Sequence, residues 1–204
     1  NPTEYGTIYS KKELSEISRV CRKYGLYLYM DGARLGYGLC AKGNDLDLPF
    51  IAECCDVFYI GGTKIGALFG EAVVIGNEEL KKDFRYIIKQ RGAMLAKGRL
   101  LGLQFIALFE DNLYFEISEH VVALAEKVRD IFAENGYPFL YPSPTNQQFP
   151  ILPDAVLPAL KEKYAFSTWQ KFDADHTVVR FCTSWATKEE SVAALREDIR
   201  RLPK

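Results

Sequence analysis

An apolar run over residues 26–30 (Leu-Tyr-Leu-Tyr-Met) stops at Asp31, and a second, over 57–60 (Val-Phe-Tyr-Ile), stops at Gly61-Gly62, with Thr63 and Lys64 next. Short apolar runs bounded by turn residues read as buried strands, so an acid and an amine each sit where a strand ends. In an open α/β sheet the carboxyl ends of strands border the ligand crevice, and neighbouring strands then present both side chains to one bound molecule. An amine can form a Schiff base with an aldehyde, and a carboxylate opposite a pyridine nitrogen keeps that nitrogen protonated, so that the ring can take up electrons. Pyridoxal phosphate needs both. Each residue alone has a plainer reading: Asp31-Gly32 is an ordinary turn signal, and a strand-end lysine is commonly a solvated one. Against this, Gly61-Gly62 permits close backbone approach before Lys64. An unpaired carboxylate is costly to bury, so an acid at the mouth of an apolar strand predicts a cationic partner, which a protonated pyridine would be.

These residues need a sheet to hold them, and the flanking pattern supplies one. Ser10-Lys-Lys-Glu13 is a capping box, Leu14, Ile17 and Val20 recur at helical spacing, and Gly25 is the expected stop. Helix and strand then alternate: strand 26–30, helix 46–54, strand 57–60, strand 71–75, helices 78–87 and 98–110. The 98–110 helix is apolar nearly all round, which predicts burial, against another subunit. A long amphipathic helix over 114–134 ends at Asn135-Gly136. Beyond it lie strand-like stretches at 147–152, 166–172 and 177–183, a helix at 154–163, and a last helix behind a Thr187-Lys-Glu-Glu190 capping box, running to 201. The expected architecture is α/β: a mostly parallel sheet over 1–112 and a small α/β domain with antiparallel strands over 113–204, joined directly by the long helix.

Composition narrows the function. The 26 basic residues nearly balance 27 acidic ones, for a formal charge of -1, which gives no electrostatic case for a nucleic-acid or membrane surface. Five cysteines, an odd number without a C-x-x-C pair, argue against a disulfide framework and a zinc site and point to a reducing cytoplasm. His120 and His176 follow no ligand pattern, and no metal is expected. In the run Thr177-Val-Val-Arg-Phe-Cys-Thr183, alternation sets Val178, Arg180 and Cys182 on one face, and an arginine there needs an anion unless it lies on a watery edge. The chain opens at Asn1-Pro2-Thr3, without methionine, in a turn that leads into a helix. That start predicts a fragment beginning inside a βα unit, with a separate N-terminal piece as companion.

Asp31-Gly-Ala-Arg34, Thr63-Lys64, Thr145-Asn146 before Phe149, and Val178-Val-Arg180-Phe-Cys-Thr183 together resemble the threonine aldolase and β-eliminating lyase group of fold-type-I pyridoxal phosphate enzymes, in the same order. The resemblance runs from about Tyr5 to the end. It implies the later part of a transferase-like large domain plus the small domain. The stretch that precedes these motifs in relatives holds a glycine-rich phosphate turn and a ring-stacking aromatic residue. It implies that Lys64 anchors the cofactor, that Asp31 faces the ring nitrogen, that Thr63 bonds the phosphate, and that Arg34 and Arg180 grip the substrate carboxylate, with Tyr5 and Thr7 close by. Arg34 otherwise reads as a surface ion-pair partner, and Thr63 and the Tyr5-Gly6-Thr7 stretch as turn residues. The implied activity is cleavage of β-hydroxy amino acids to glycine and an aldehyde, in a homo-oligomer of two or four copies. Another lyase or an aminotransferase on the same scaffold, or a non-catalytic fragment, stays open. After Arg91-Gly92-Ala93-Met94, where aldolases commonly continue with arginine and glutamine, this chain has Leu95-Ala96, which leaves the substrate open.

Overall fold

A computed structural model describes residues 2–202. Helix α1 (Lys11–Lys23) starts at a formed capping box: Glu13 N–H donates to Ser10 Oγ at 3.3 Å and Ser10 N–H to Glu13 Oε2 at 2.8 Å. Strand β1 is shorter than the apolar run, covering only Tyr29–Met30, because Leu28 N–H leaves the ladder for Asp56 Oδ2 at 2.7 Å. Its burial is one-sided, since Met30 is buried while Leu26, Tyr27 and Tyr29 are each 59% exposed. A short helix that the two glycines Gly36 and Gly38 obscure in the sequence, α2 (Leu35–Leu39), follows, then α3 (Leu48–Cys54), whose first turn Asp47 caps.

Strand β2 (Val57–Gly61) lies between β1 and β3 (Glu71–Ile75). β1 and β2 are parallel, Tyr29 opposite Val57 and Met30 opposite Phe58, whereas β2 and β3 are antiparallel from Val57↔Ile75 to Gly61↔Glu71. The sheet is therefore mixed over these three strands. Residues 62–70 are too few for a parallel crossover, which takes about a dozen or more, so the chain turns straight back.

The expected 78–87 helix is two pieces, α4 (Glu78–Lys81) and α5 (Phe84–Gln90), parted at Asp83 with φ 58°. Helix α6 (Arg99–Phe109) forms as expected, but Leu100, Leu103 and Ile106 face solvent and its one buried residue is Leu108. Helix α7 (Leu113–Glu134) serves two cores. Tyr114, Val121 and Val122 pack with Tyr37, Ile51, Phe58 and Ile65; Leu124, Val128, Ile131 and Phe132 pack with Val179, Phe181, Leu195 and Ile199.

The second sheet is centred on the last strand. Strands β4 (Gln147–Gln148), β5 (Ile151–Pro153) and β6 (Ser167–Lys171) all pair antiparallel with β7 (His176–Cys182), with α8 (Leu157–Lys161) between β5 and β6. Pro150, which has no N–H to give a ladder, separates β4 from β5. The last helix, α9 (Glu189–Arg200), lacks the expected capping box. Its N-cap is Lys188, and Thr187 Oγ1 instead accepts from Ser184 N–H at 2.9 Å, closing the preceding turn.

Candidate active site

The parallel register of β1 and β2, carried one residue past Met30↔Phe58, brings Asp31 beside Tyr59. Tyr59 OH donates to Asp31 Oδ1 at 2.6 Å, Thr3 Oγ1 at 2.8 Å and Ala33 N–H at 3.0 Å. Desolvation works against the charge on Asp31, but these donors outweigh it and hold its carboxyl below the usual carboxylate range. The acid is exposed rather than buried as the apolar strand led us to expect, and hydroxyl and amide donors hold it. The turn behind it is locked to β2: Gly61 N–H donates to Gly32 O at 2.9 Å, and a Cβ on Gly32 would lie 1.6 Å from Tyr59 O. Gly32→Ala should therefore cost more than the roughly 1–3 kcal/mol of ordinary overpacking, because backbone must move. Denaturant unfolding checks this; a loss below about 1 kcal/mol would refute the close fit.

After β2 the chain makes a single 3₁₀ turn, Thr63–Ile65, that carries Lys64. Glu71, opposite Gly61 across the β2–β3 pair, takes Gly62 N–H on Oε2 at 2.6 Å and Thr63 Oγ1 on Oε1 at 3.2 Å. Tyr37 OH donates to Lys64 O from the buried side. The turn is thus clamped on both flanks while the Lys64 side chain is half-buried, with no hydrogen bond or ion pair to its amine among the described residues. Desolvation, then Arg34 and Arg180, lower its pKa, against the pull of Glu71 and Asp31. Thr63, expected to meet a phosphate, has its hydroxyl on a carboxylate.

Two arginines converge from the two sheets. Arg34, just before α2, donates through Nη1 to Thr3 O, and its electrostatic neighbours are Cys182, Arg180 and Tyr37. Arg180, on β7, donates to Gln147 Oε1 at 3.2 Å, and its guanidinium carbon stands 5.2 Å from the centre of the Trp169 ring. The Nε of each arginine is buried without a partner. Trp169 sits at a β-bulge, where the β6–β7 register shifts between Thr168 and Gln170. Tyr5 joins this group, 6.0 Å from Trp169 and 4.9 Å from Tyr141 between ring centres. Thr7 is exposed and takes part in no hydrogen bond among the described residues.

Gly6 (φ 70°) lets its carbonyl accept from Ser143 Oγ at 3.0 Å and Thr145 Oγ1 at 3.2 Å, in a space where a Cβ would come within 2.2 Å of Ser143 Oγ. Asn146 ties the end of β7 through Thr183 O at 2.8 Å. Lys64, Asp31, Arg34 and Arg180 are therefore one electrostatic group, Tyr5 lies a ring away from Arg180, and Thr7 stands apart. Tyr59, Glu71, Trp169 and Gln147 belong to the site and escape the sequence reading; the parallel register alone would have found Tyr59.

This donor set suits pyridoxal phosphate. A partly desolvated amine and an ionised carboxylate just past the adjacent strand match the cofactor's aldehyde and pyridinium, and two buried, unpartnered guanidinium N–H groups match the carboxylate of an amino acid. Comparison with known proteins agrees with the geometry. Residues 1–154 match the family model described as "Beta-eliminating lyase". The low-specificity L-threonine aldolase of Pseudomonas aeruginosa is 33% identical over 201 residues, 97% of this chain and 57% of that protein. The structure of Leishmania major threonine aldolase superposes with TM-score 0.96 at 44% identity, over 98% of this chain and 59% of that one. An aspartate aminotransferase variant of Thermus thermophilus, at 18% identity and TM-score 0.70, covering 99% of this chain and 55% of that one, shares the fold alone. The chain thus spans less than two thirds of the length of these relatives.

Proposed function

The chain belongs to the β-eliminating lyase family, and on that premise we propose that it acts as a fold-type-I, pyridoxal phosphate-dependent carbon–carbon lyase, splitting β-hydroxy amino acids into glycine and an aldehyde. The observation that carries the proposal is the clamped Lys64, its amine half-buried and without a hydrogen bond among the described residues, in the charge field of Asp31, Arg34 and Arg180. When bound, the cofactor supplies an electron sink for the bond broken at Cα. Lys64 Nζ would hold its aldehyde carbon. Asp31 keeps a proton on the ring nitrogen. Arg34 and Arg180 bind the α-carboxylate through N–H groups that have no other acceptor, which orients Cα–Cβ. Thr63 reaches the phosphate only by turning from Glu71. Tyr5 borders the substrate through Trp169, whereas Thr7 stands apart from this group.

The proposal extends to the division at 112/113, to a cytoplasmic location and to a homo-oligomer, the last supported by the leucine face that α6 turns to solvent. The full-length protein, loaded with cofactor and given L-threonine, should release glycine and acetaldehyde in equal amounts. Release of ammonia with a 2-oxo acid, or amino transfer to an added 2-oxo acid, without glycine would replace this reading with β-elimination or transamination. Cofactor uptake with no turnover of any amino acid would leave a binding protein.

A further inference from the structure

We propose that Tyr59 is a positioning residue for Asp31, its phenol fixing the plane of the carboxylate that the cofactor's ring nitrogen meets. The proposal rests on the cofactor reading above. Three donors converge on Oδ1, and they differ in rigidity. Thr3 lies in a turn near the start of the chain, and the Ala33 N–H is local to Asp31 itself. Tyr59 stands on the central strand of its sheet, laddered to β1 on one side and paired with Val73 of β3 on the other. Its ring is half-buried and lies 6.2 Å from that of Tyr29, so the hydroxyl has little freedom. At 2.6 Å the contact falls in the about 2.5–2.7 Å range of a hydroxyl on an ionised oxygen, shorter than neutral pairs.

An exposed carboxylate otherwise swings about its terminal torsion, and a rigid donor on one oxygen stops that motion. Among the described residues, the groups that face Asp31 include Tyr29 on β1, Tyr59 on β2, Thr3 and the Ala33 N–H as donors, and Lys64 from the turn after β2. Desolvation, and then the bond to Asp31, push the Tyr59 phenol far above its ordinary pKa, so it remains a donor at every working pH. Removing the phenol leaves the Asp31 charge with fewer donors. Asp31 then protonates at higher pH, and cofactor affinity, which needs the ionised acid, fails earlier as pH falls.

The test is equilibrium binding of pyridoxal phosphate to the full-length apoprotein across pH, with wild type, Tyr59→Phe, Asp31→Asn and a protein carrying 3,5-difluorotyrosine at 59. Tyr59→Phe should weaken binding about tenfold or more at neutral pH, as expected for a lost hydrogen bond to a charged group. Its acid limb should move to higher pH. Fluorination makes the phenol a stronger donor without changing the fold, and should move the limb to lower pH. A purely structural tyrosine would not produce opposite shifts. If neither variant moves the acid limb while Asp31→Asn weakens binding, Tyr59 has no such role and the cofactor reading stands. If wild type takes up no cofactor, both fall. Should Tyr59→Phe fail to fold, the fluorinated protein alone decides, an unmoved limb refuting the proposal.

Discussion

Lys64→Ala should abolish cofactor that borohydride can fix to the protein and lower turnover by roughly 10⁴-fold or more, the scale of losing a covalent catalytic group. Desolvation and the arginines Arg34 and Arg180 all disfavour the charged ammonium, while Glu71 and Asp31 only partly restore it. A lowered pKa means that free amine persists to lower pH than for an exposed lysine, so cofactor capture by wild type should extend correspondingly toward acid. The same sign governs stability. A cation whose folded pKa lies below its unfolded value binds protons less well in the folded state, so it disfavours folding once pH falls through the unfolded value, by an amount that grows until the folded value is reached and is constant below it. Removing it should leave the thermal midpoint unchanged or slightly raised at neutral pH. Loss of trapping with retained stability separates a covalent role from a structural one. Undiminished trapping in Lys64→Ala would transfer the anchor to another lysine.

What made Asp31 and Lys64 legible was contrast, a charged residue ending a run of apolar ones. Strand ends are written in such contrasts, and helix α1 in its capping box, because both are local. Pairing partners are not local. Nothing in Glu71-Ala-Val-Val-Ile75 says that it runs against β2, and the decisive fact is the shortness of residues 62–70. Glu71 thereby reaches Gly62 and Thr63, a contact that no periodicity announces. Trp169 is a further case: a strand pattern assigns it a face by alternation, and the bulge re-aims it toward Arg180. Capping signals misled at Thr187, where the same hydroxyl satisfies Ser184 in a turn. The apolar character of α6 was read correctly, but burial is a property of what covers a face, and within this chain little covers Leu103 or Ile106.

Arg180→Ala should raise KM for the amino acid on the order of 10²-fold, near the lower end of the about 2–5 kcal/mol cost of truncating one member of a hydrogen-bonded charge pair, because Arg180 is only half-buried. The geometry makes this larger than a surface-charge effect. Gln147 Oε1 and the Trp169 ring hold the guanidinium in one orientation, and Gln147 Nε2 in turn donates to the carbonyls of Pro2 and Thr3 at 3.2 Å each. Arg34 is tied to that same Thr3 carbonyl. Two like charges are thus braced near one another through a shared segment, and an anion between them relieves their repulsion. Arg180→Lys should recover only part of the loss, since an ammonium can neither stack its plane on Trp169 nor offer two parallel N–H groups. Trp169→Leu should shift KM in the same direction but by less. An amine of similar shape without a carboxylate should bind wild type and Arg180→Ala equally weakly, and that equality identifies the carboxylate as what Arg180 holds. An unchanged KM in Arg180→Ala would leave Arg34 as the sole carboxylate clamp and make the β7 arginine a structural partner of Gln147.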